Sequence, residues 1–509
     1  MTVGRARSVA LVGLTGTVIE IEAALGGGLP RTILVGLPDT SLNEARERCK
    51  AAVINSGLPW PDRLVTVNLT PATLPKTGSH YDLGITVAVL ATHPDAVRTE
   101  LLEDTVLLGE LGLDGRVRRC RGVLPALLAA AKAGFTKAVV PAEQVGEARL
   151  VEGLAIWGVS NLTELVAVLR GEPITEHGSP APDLPTSAEY PDLRDVVGQA
   201  EARWVLEVAA AGRHHLFLHG PPGTGKTMLA ERLPSILPDL SPAAALEVTA
   251  IHSLSGADVG GQLIRRPPFA APHHTASMVS LVGGGPKASQ PGSFSLCHEG
   301  VLFLDEAAEF PPSLIESLRT PMESGAIHIG RSGAQVRYPA RFQLVLAANP
   351  CPCGNYGDPA RHCSCRPDAV RRYQSRISGP VLDRIDLHHH VRPLSRSLLK
   401  GQPPGEASAT VAGRVLEARD RQARRLAATR WRTNGEVSGP WLRRQLPLPE
   451  GLGVVDDAVR QGRLSARGVD KVLRLSWTLA DLAGVDLPTA SHVRTALAMR
   501  RGEELGAVA

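Results

Sequence analysis

The stretch "HHLFLHGPPGTGKTMLAERL" constrains the fold of this chain more than any other part of it. An apolar run ends at Gly220. The loop Gly220, Pro221, Pro222, Gly223, Thr224, Gly225, Lys226, Thr227 then fits G-x-x-x-x-G-K-[ST] and opens an amphipathic segment. Strand, loop and helix in that order predict a phosphate cradle. Glycines let the backbone curl so that its N–H groups face an anion. Lys226 neutralises charge on the β- and γ-phosphates, and the Thr227 hydroxyl can ligate Mg²⁺. Such a unit belongs in an α/β domain with a parallel sheet.

The chemistry needs a second acidic element, and "GVLFLDEAAEF" supplies it: an apolar strand that ends in Asp305 and Glu306. Asp305 is placed to hold Mg²⁺, and Glu306 to orient and polarise an attacking water. The strand "FQLVLAAN" presents Asn349 at its end, within reach of a γ-phosphate. Arg384, in "SRISGPVLDRIDLHHHV", and Arg467, in "LSARGVDKVLRLSWTLADLA", are candidates for the positive charge that phosphoryl transfer requires. The triple histidine at 388–390 reads as structural, because alternate residues of a strand face opposite ways.

At 509 residues the chain exceeds one ordinary core. Its 43% hydrophobic and 21% charged residues are those of a globular protein. A net charge of +4 makes no global case for nucleic acid, so any basic surface has to be local. Strand-like and helical stretches alternate over 1–172. A Pro- and Ser-rich linker follows at 173–190, the nucleotide unit spans 191–395, and an Arg- and Ala-rich helical unit spans 396–509. No stretch approaches the roughly 20 apolar residues of a membrane helix. Scattered cysteines at 49, 120 and 297 are cytosolic usage, so a cytoplasmic protein is expected, with no membrane partner.

Two insertions carry candidate DNA contacts. The first, 250–295, holds Arg265, Arg266, His273, His274 and Lys287; the second, "AIHIGRSGAQVRYPA", reads as a hairpin with Arg331 and Arg337. A segment with seven arginines between Arg414 and Arg432, with Trp431 interleaved, is either a nucleic-acid surface or a solvated helix face. Finally, "NPCPCGNYGDPARHCSC" gathers Cys351, Cys353, Cys363 and Cys365. They can surround one Zn²⁺ tetrahedrally or stand as free thiols in a tight loop. Their loss is expected to loosen a ring or its coupling before it abolishes nucleotide binding.

In order and wording these motifs resemble an AAA+ ATPase. The Walker A element is 220–227, Walker B is 301–306, sensor 1 is Asn349, the finger is Arg384 and sensor 2 is Arg467. "DVVGQ", with Val197, resembles the strand and loop that cap adenine. "PFAAPHHTAS", "GGGPKASQPGSFSLCHEGVLFLDE" and "YPARFQLVLAANPCPCG" are similar to the ComM/YifB family, the magnesium-chelatase-like AAA+ proteins, over essentially the whole chain. The resemblance implies ATP and Mg²⁺, and a ring, usually a hexamer, in which Arg384 reaches the ATP of a neighbour. It also implies an ATP-driven helicase that promotes branch migration of single-stranded or branched DNA in recombination or natural transformation. The alternative is a chelatase-type or chaperone-like ATPase that remodels a protein partner.

"TLPKTGSHYDLGITVAVLA" and the stretch after it resemble the α+β proteolytic domain of the Lon family, of the ribosomal S5 domain 2-like fold. Where such enzymes place serine and lysine, this chain has Asp82 and Leu124, so an inactive scaffold is expected. The fold class expected overall is multidomain α/β: this domain, a P-loop core and an all-helical lid.

Overall fold

The computed structural model describes residues 3–36, 40–93, 95–173, 190–285, 290–331, 334–357, 361–393 and 404–505. Most of the expected linker (174–189), all of Lys287 and the Arg331 side chain lie outside the described residues.

The N-terminal unit is built on a seven-stranded mixed sheet. Its spatial order is Arg31–Val35, Leu64–Thr70, Thr15–Gly26, Val3–Val12, Thr105–Leu107, Lys137–Pro141, Ala155–Val159. The first two strands of the chain pair antiparallel from Val3↔Ala24 to Val12↔Thr15. Alternation along them splits the sheet into two apolar faces. Ala10, Ile19 and Ile21 pack with the helices Thr40–Asn55 and Asp82–Leu90, whereas Val9 packs with Val123, Leu124 and Leu127 of Val123–Lys132.

Asp82 opens its helix with its side chain fully buried, and Arg48 grips it with two hydrogen bonds of 2.8 and 3.0 Å. Burial pushes the Asp82 carboxyl up to about 6, against the pull of Arg48. Leu124 is core. Lys76 donates to the carbonyls of Gly36 and Pro71, and the Ser79 hydroxyl meets Glu110.

The nucleotide unit is a five-stranded sheet in the order Phe269–Ala270, Val301–Leu304, Gln343–Ala348, Leu216–His219, Leu387–His390, with every neighbouring pair parallel. All residues of Val301–Leu304 and Gln343–Ala348 are buried, as expected for strands covered on both faces. The loops that carry Gly220, Asp305 and Asn349 therefore emerge at one sheet edge, the carboxyl ends of three adjacent strands.

The C-terminal region is helical: Ser408–Arg425, Gly439–Gln445, Gly453–Arg460, Ala466–Ala483 and Ala490–Arg501. Val411, Val415, Val472 and Leu475 share one hydrophobic core with Ala202, Val205 and Ala209 of the helix Ala200–Gly212, so this region is fused to the nucleotide unit. The Arg-rich segment is only partly a solvated face, with Arg424, Arg430 and Arg432 exposed and others paired within the chain. Arg414 is held by Glu207 and Glu406, Arg419 donates to the Ala210 carbonyl, and Arg425 pairs with the Asp481 carboxylate. Composition cannot tell paired arginines from free ones, and here much of the charge is matched internally.

The N-terminal unit is docked on the helix Pro242–Ser255. Gly122 N–H donates to the Ser253 carbonyl at 3.1 Å, the Ser253 hydroxyl meets Glu147, and Arg119 pairs with Asp258 at 2.6 Å. The first expected insertion thus begins inside a helix. The second is a hairpin of Ala326–Arg331 and Ala334–Pro339, seated on the same unit. Gly13 lies so close that a Cβ there would come within 2.9 Å of Val336 Cγ1.

Removing one partner of a buried ion pair leaves an uncompensated charge and costs about 3–5 kcal/mol. Arg48→Ala is therefore expected to lower the thermal midpoint of the N-terminal unit. A circular-dichroism melt unchanged from that of the parent chain would contradict this account of Asp82.

Candidate nucleotide site

Two turns of the loop depend on glycine. Gly223 and Gly225 hold φ of +78° and +90°, where a side chain is strained, and Gly225 precedes the helix Lys226–Arg232. Gly220 is needed for space, since a Cβ would stand 2.2 Å from the Val391 carbonyl oxygen. Lys226 is buried, and its ammonium donates to the carbonyls of Gly220 (2.7 Å) and Pro221 (2.8 Å) and to Asn349 Oδ1 (3.1 Å). Burial pushes its pKa below the ordinary lysine value, against the opposing pull of Asp305 and Glu306.

Thr227 Oγ1 donates to Asp305 Oδ2 at 2.6 Å, so the two expected Mg²⁺ ligands meet across the end of the intervening strand Gln343–Ala348. Glu306 follows in the left-handed region at φ +50°, its carboxylate half exposed and 3.5 Å from His274 Nδ1. His274, part of the first insertion, follows the short strand Phe269–Ala270, which lies beside Val301–Leu304. The only sequence signal for it was the position of "PHH" just after the strand-like "PFA".

The "DVVGQ" stretch differs from expectation. Leu193–Asp195 is a short 3₁₀ turn, capped by Arg194 N–H donating to Asp192 Oδ1 at 2.9 Å, and Val197 follows it half-buried. Gln199 bridges outward from it, donating to the carbonyls of Thr224 (3.3 Å) and Arg392 (3.0 Å). It ties the phosphate loop to the end of the last strand.

Arg384 and Arg467 come together, and their contacts are not with the phosphate loop. Arg384 is buried, donating to the Pro380 carbonyl at 2.7 Å and pairing with Glu323. Arg467 pairs with Asp383 at 3.1 Å and approaches Glu323 at 3.8 Å. Both line a cleft of about 530 Å³ together with Arg213, Arg341, Arg430 and Lys471. Sequence could not reveal Glu323 as their shared carboxylate.

The four cysteines gather with all their sulfur atoms within 4.8 Å of one another. Of the basic candidates, Arg265 and Arg337 are exposed, and Arg266 is 3.7 Å from Asp239. Burial pushes His388 down to about 3 and His389 to about 4, so this strand carries neutral imidazoles. No helix of the described residues is long and apolar enough to cross a membrane.

Three family models match in chain order. Residues 21–144 match "Subunit ChlI of Mg-chelatase", 192–399 match "Magnesium chelatase, subunit ChlI", and 405–500 match its C-terminal region. An uncharacterized protein of Mycobacterium tuberculosis is 50% identical over 98% of this chain and 99% of its own length. The protein YifB of Escherichia coli is 40% identical over 97% and 96%, and the competence protein ComM of Haemophilus influenzae is 37% identical over 96% of each. The magnesium-chelatase 38 kDa subunit of Rhodobacter capsulatus is 26% identical over 50% of this chain and 74% of its own. With near full-length similarity and the five-stranded P-loop sheet, the chain belongs to the YifB/ComM family of magnesium-chelatase-like AAA+ proteins.

Proposed function

We propose that this protein is an ATPase that works as a homo-oligomeric ring, probed below as a hexamer, and that hydrolysis drives it along DNA. The observation that carries the reading is the pairing of Arg384 with Arg467 on a cationic cleft, bonded to Glu323 and Asp383 rather than to the chain's own phosphate loop. Two such arginines make chemical sense when the triphosphate belongs to a neighbouring copy.

In this reading Lys226 exchanges loop carbonyls for phosphate oxygens, and Thr227 with Asp305 holds Mg²⁺. Asn349 orients the γ-phosphate, and Glu306 accepts the proton of the attacking water. Val197 lies against the base. Arg384 and Arg467 of the next subunit then neutralise charge as the γ-phosphate leaves, an effect worth about 10³–10⁵ in rate for a finger arginine. Zn²⁺ held by the four cysteines completes the ion set as a structural ion outside the reaction.

DNA as the track is supported by a full-length relative that is named a competence protein. It is also supported by the exposed Arg337, on the hairpin that follows Glu323 in sequence. Single-stranded or branched DNA, handled in recombination, fits a ring with a cationic hairpin, and Arg265, Arg266, Lys287 and Arg331 are further contact candidates. A second reading, remodelling of a protein partner, is favoured by the chelatase-subunit relative and by the internal pairing of the Arg-rich helix. DNA-stimulated turnover separates the two.

Glu306→Gln should bind ATP normally and hydrolyse it at least about 10²-fold more slowly; normal turnover would remove Glu306 as the base. Lys226→Ala and Arg384→Ala should each be inactive alone, yet regain activity when mixed, because mixed rings contain intact shared sites. Mixtures as dead as their parts would count against a shared site, and sedimentation of the ATP-bound ring would test six copies. Single-stranded or forked DNA should raise turnover. Arg337→Ala should lower the slope of log affinity against log salt by about 1. A rate indifferent to every DNA form would transfer the case to protein remodelling.

A further inference from the structure

The cysteine cluster is not among the reacting groups, yet its loop touches two of them. Cys351 is fully buried and lies two residues beyond Asn349, which accepts a hydrogen bond from Lys226. Gly354 follows with φ of +80°, and a Cβ placed on it would come within 2.5 Å of Pro222 Cδ in the phosphate loop. The backbone at 351–354 therefore forms a wall against the loop, and only a glycine permits contact this close.

The sulfur atoms are arranged for one ion. Cys351 Sγ stands 3.4 Å from Cys353 Sγ and 3.8 Å from Cys363 Sγ, and Cys353 is 3.6 Å from Cys363. The Cys365 sulfur lies within 4.8 Å of the rest. A tetrahedral zinc about 2.3 Å from each sulfur sets them about 3.8 Å apart. An all-sulfur tetrahedral set selects zinc or iron over the hard cations. The Tyr356 N–H points at Cys351 Sγ from 3.3 Å, the kind of outer contact that steadies a metal-bound thiolate.

We propose that Zn²⁺ bound by Cys351, Cys353, Cys363 and Cys365 presses the loop against Pro222, so that ATP affinity at the phosphate loop depends on this metal. The inference rests on the zinc and ATP readings above and adds the link between them. It differs from the expectation from sequence, in which loss of the cysteines loosens the ring or its coupling before it abolishes nucleotide binding. The distal pair, Cys363 and Cys365, closes the loop. With the ion gone, Gly354 loses its anchor and Pro222 the backbone packed against it.

The test uses the full chain, purified without chelators, with metal measured by mass spectrometry and affinity by titration with a fluorescent ATP analogue. About one zinc per chain is expected. Stripping it from the unmutated protein should weaken binding by roughly tenfold or more, and Zn²⁺ added back should restore it. Cys363→Ser/Cys365→Ser should bind weakly and not respond to added Zn²⁺. Gly354→Ala should keep its zinc yet bind the analogue more weakly, which a metal acting only on overall stability would not produce. Chains without zinc, or with iron instead, would overturn the site. A zinc-loaded protein whose affinity survives both stripping and Gly354→Ala would overturn the link alone. Failure of the unmutated protein to bind the analogue at all would instead overturn the ATP reading.

Discussion

A buried ion pair holds the business end of this molecule in one piece. Lys471 Nζ lies 2.8 Å from Asp386 Oδ1, and the other Asp386 oxygen accepts the His215 N–H at 2.9 Å, with both side chains almost without solvent. Burial pushes the Asp386 carboxyl up, but Lys471 and His214 outweigh it and hold it well below the usual carboxylate range. Asp386 lies two residues from Arg384, and Lys471 one helical turn from Arg467. The pair thus welds the last strand of the sheet to the helix Ala466–Ala483. Removing either partner would strand a charge in the core.

From that weld follows the separation of two surfaces. On one, Lys226, Thr227, Asp305 and Asn349 converge at the ends of adjacent strands and satisfy each other directly. On the other, Arg384 and Arg467 share Glu323, which belongs to the short helix Arg319–Ser324 just before the hairpin. The hairpin starts three residues after that carboxylate, and its Val336 packs against Gly13, so it lies between the arginine pair and the N-terminal unit.

How much of this the sequence disclosed depends on how far apart the partners lie along the chain. The phosphate loop was legible because its glycines, lysine and threonine act within eight residues, and the strand ending in Asp305 and Glu306 was legible because burial on both faces requires an apolar run. Gln199, Glu323 and the contact of Gly354 with Pro222 were not, because each joins segments far apart in sequence with no local signature. The Arg-rich helix left its role open for a related reason: Arg414 and Arg425 find Glu207 and Asp481 only once the chain is folded. The nearness of His274 to Glu306 was hidden as well, since the two follow different strands.

The three hydrogen bonds of Lys226 have one more implication. A buried ammonium with no acceptor would be costly. Gly220, Pro221 and Asn349 supply three acceptors from within the chain, so the fold of the loop itself already holds its lysine in place. Any anion that engages Lys226 has to offer it more than these three acceptors do, which under the proposed function favours a highly charged ligand over a weakly charged one.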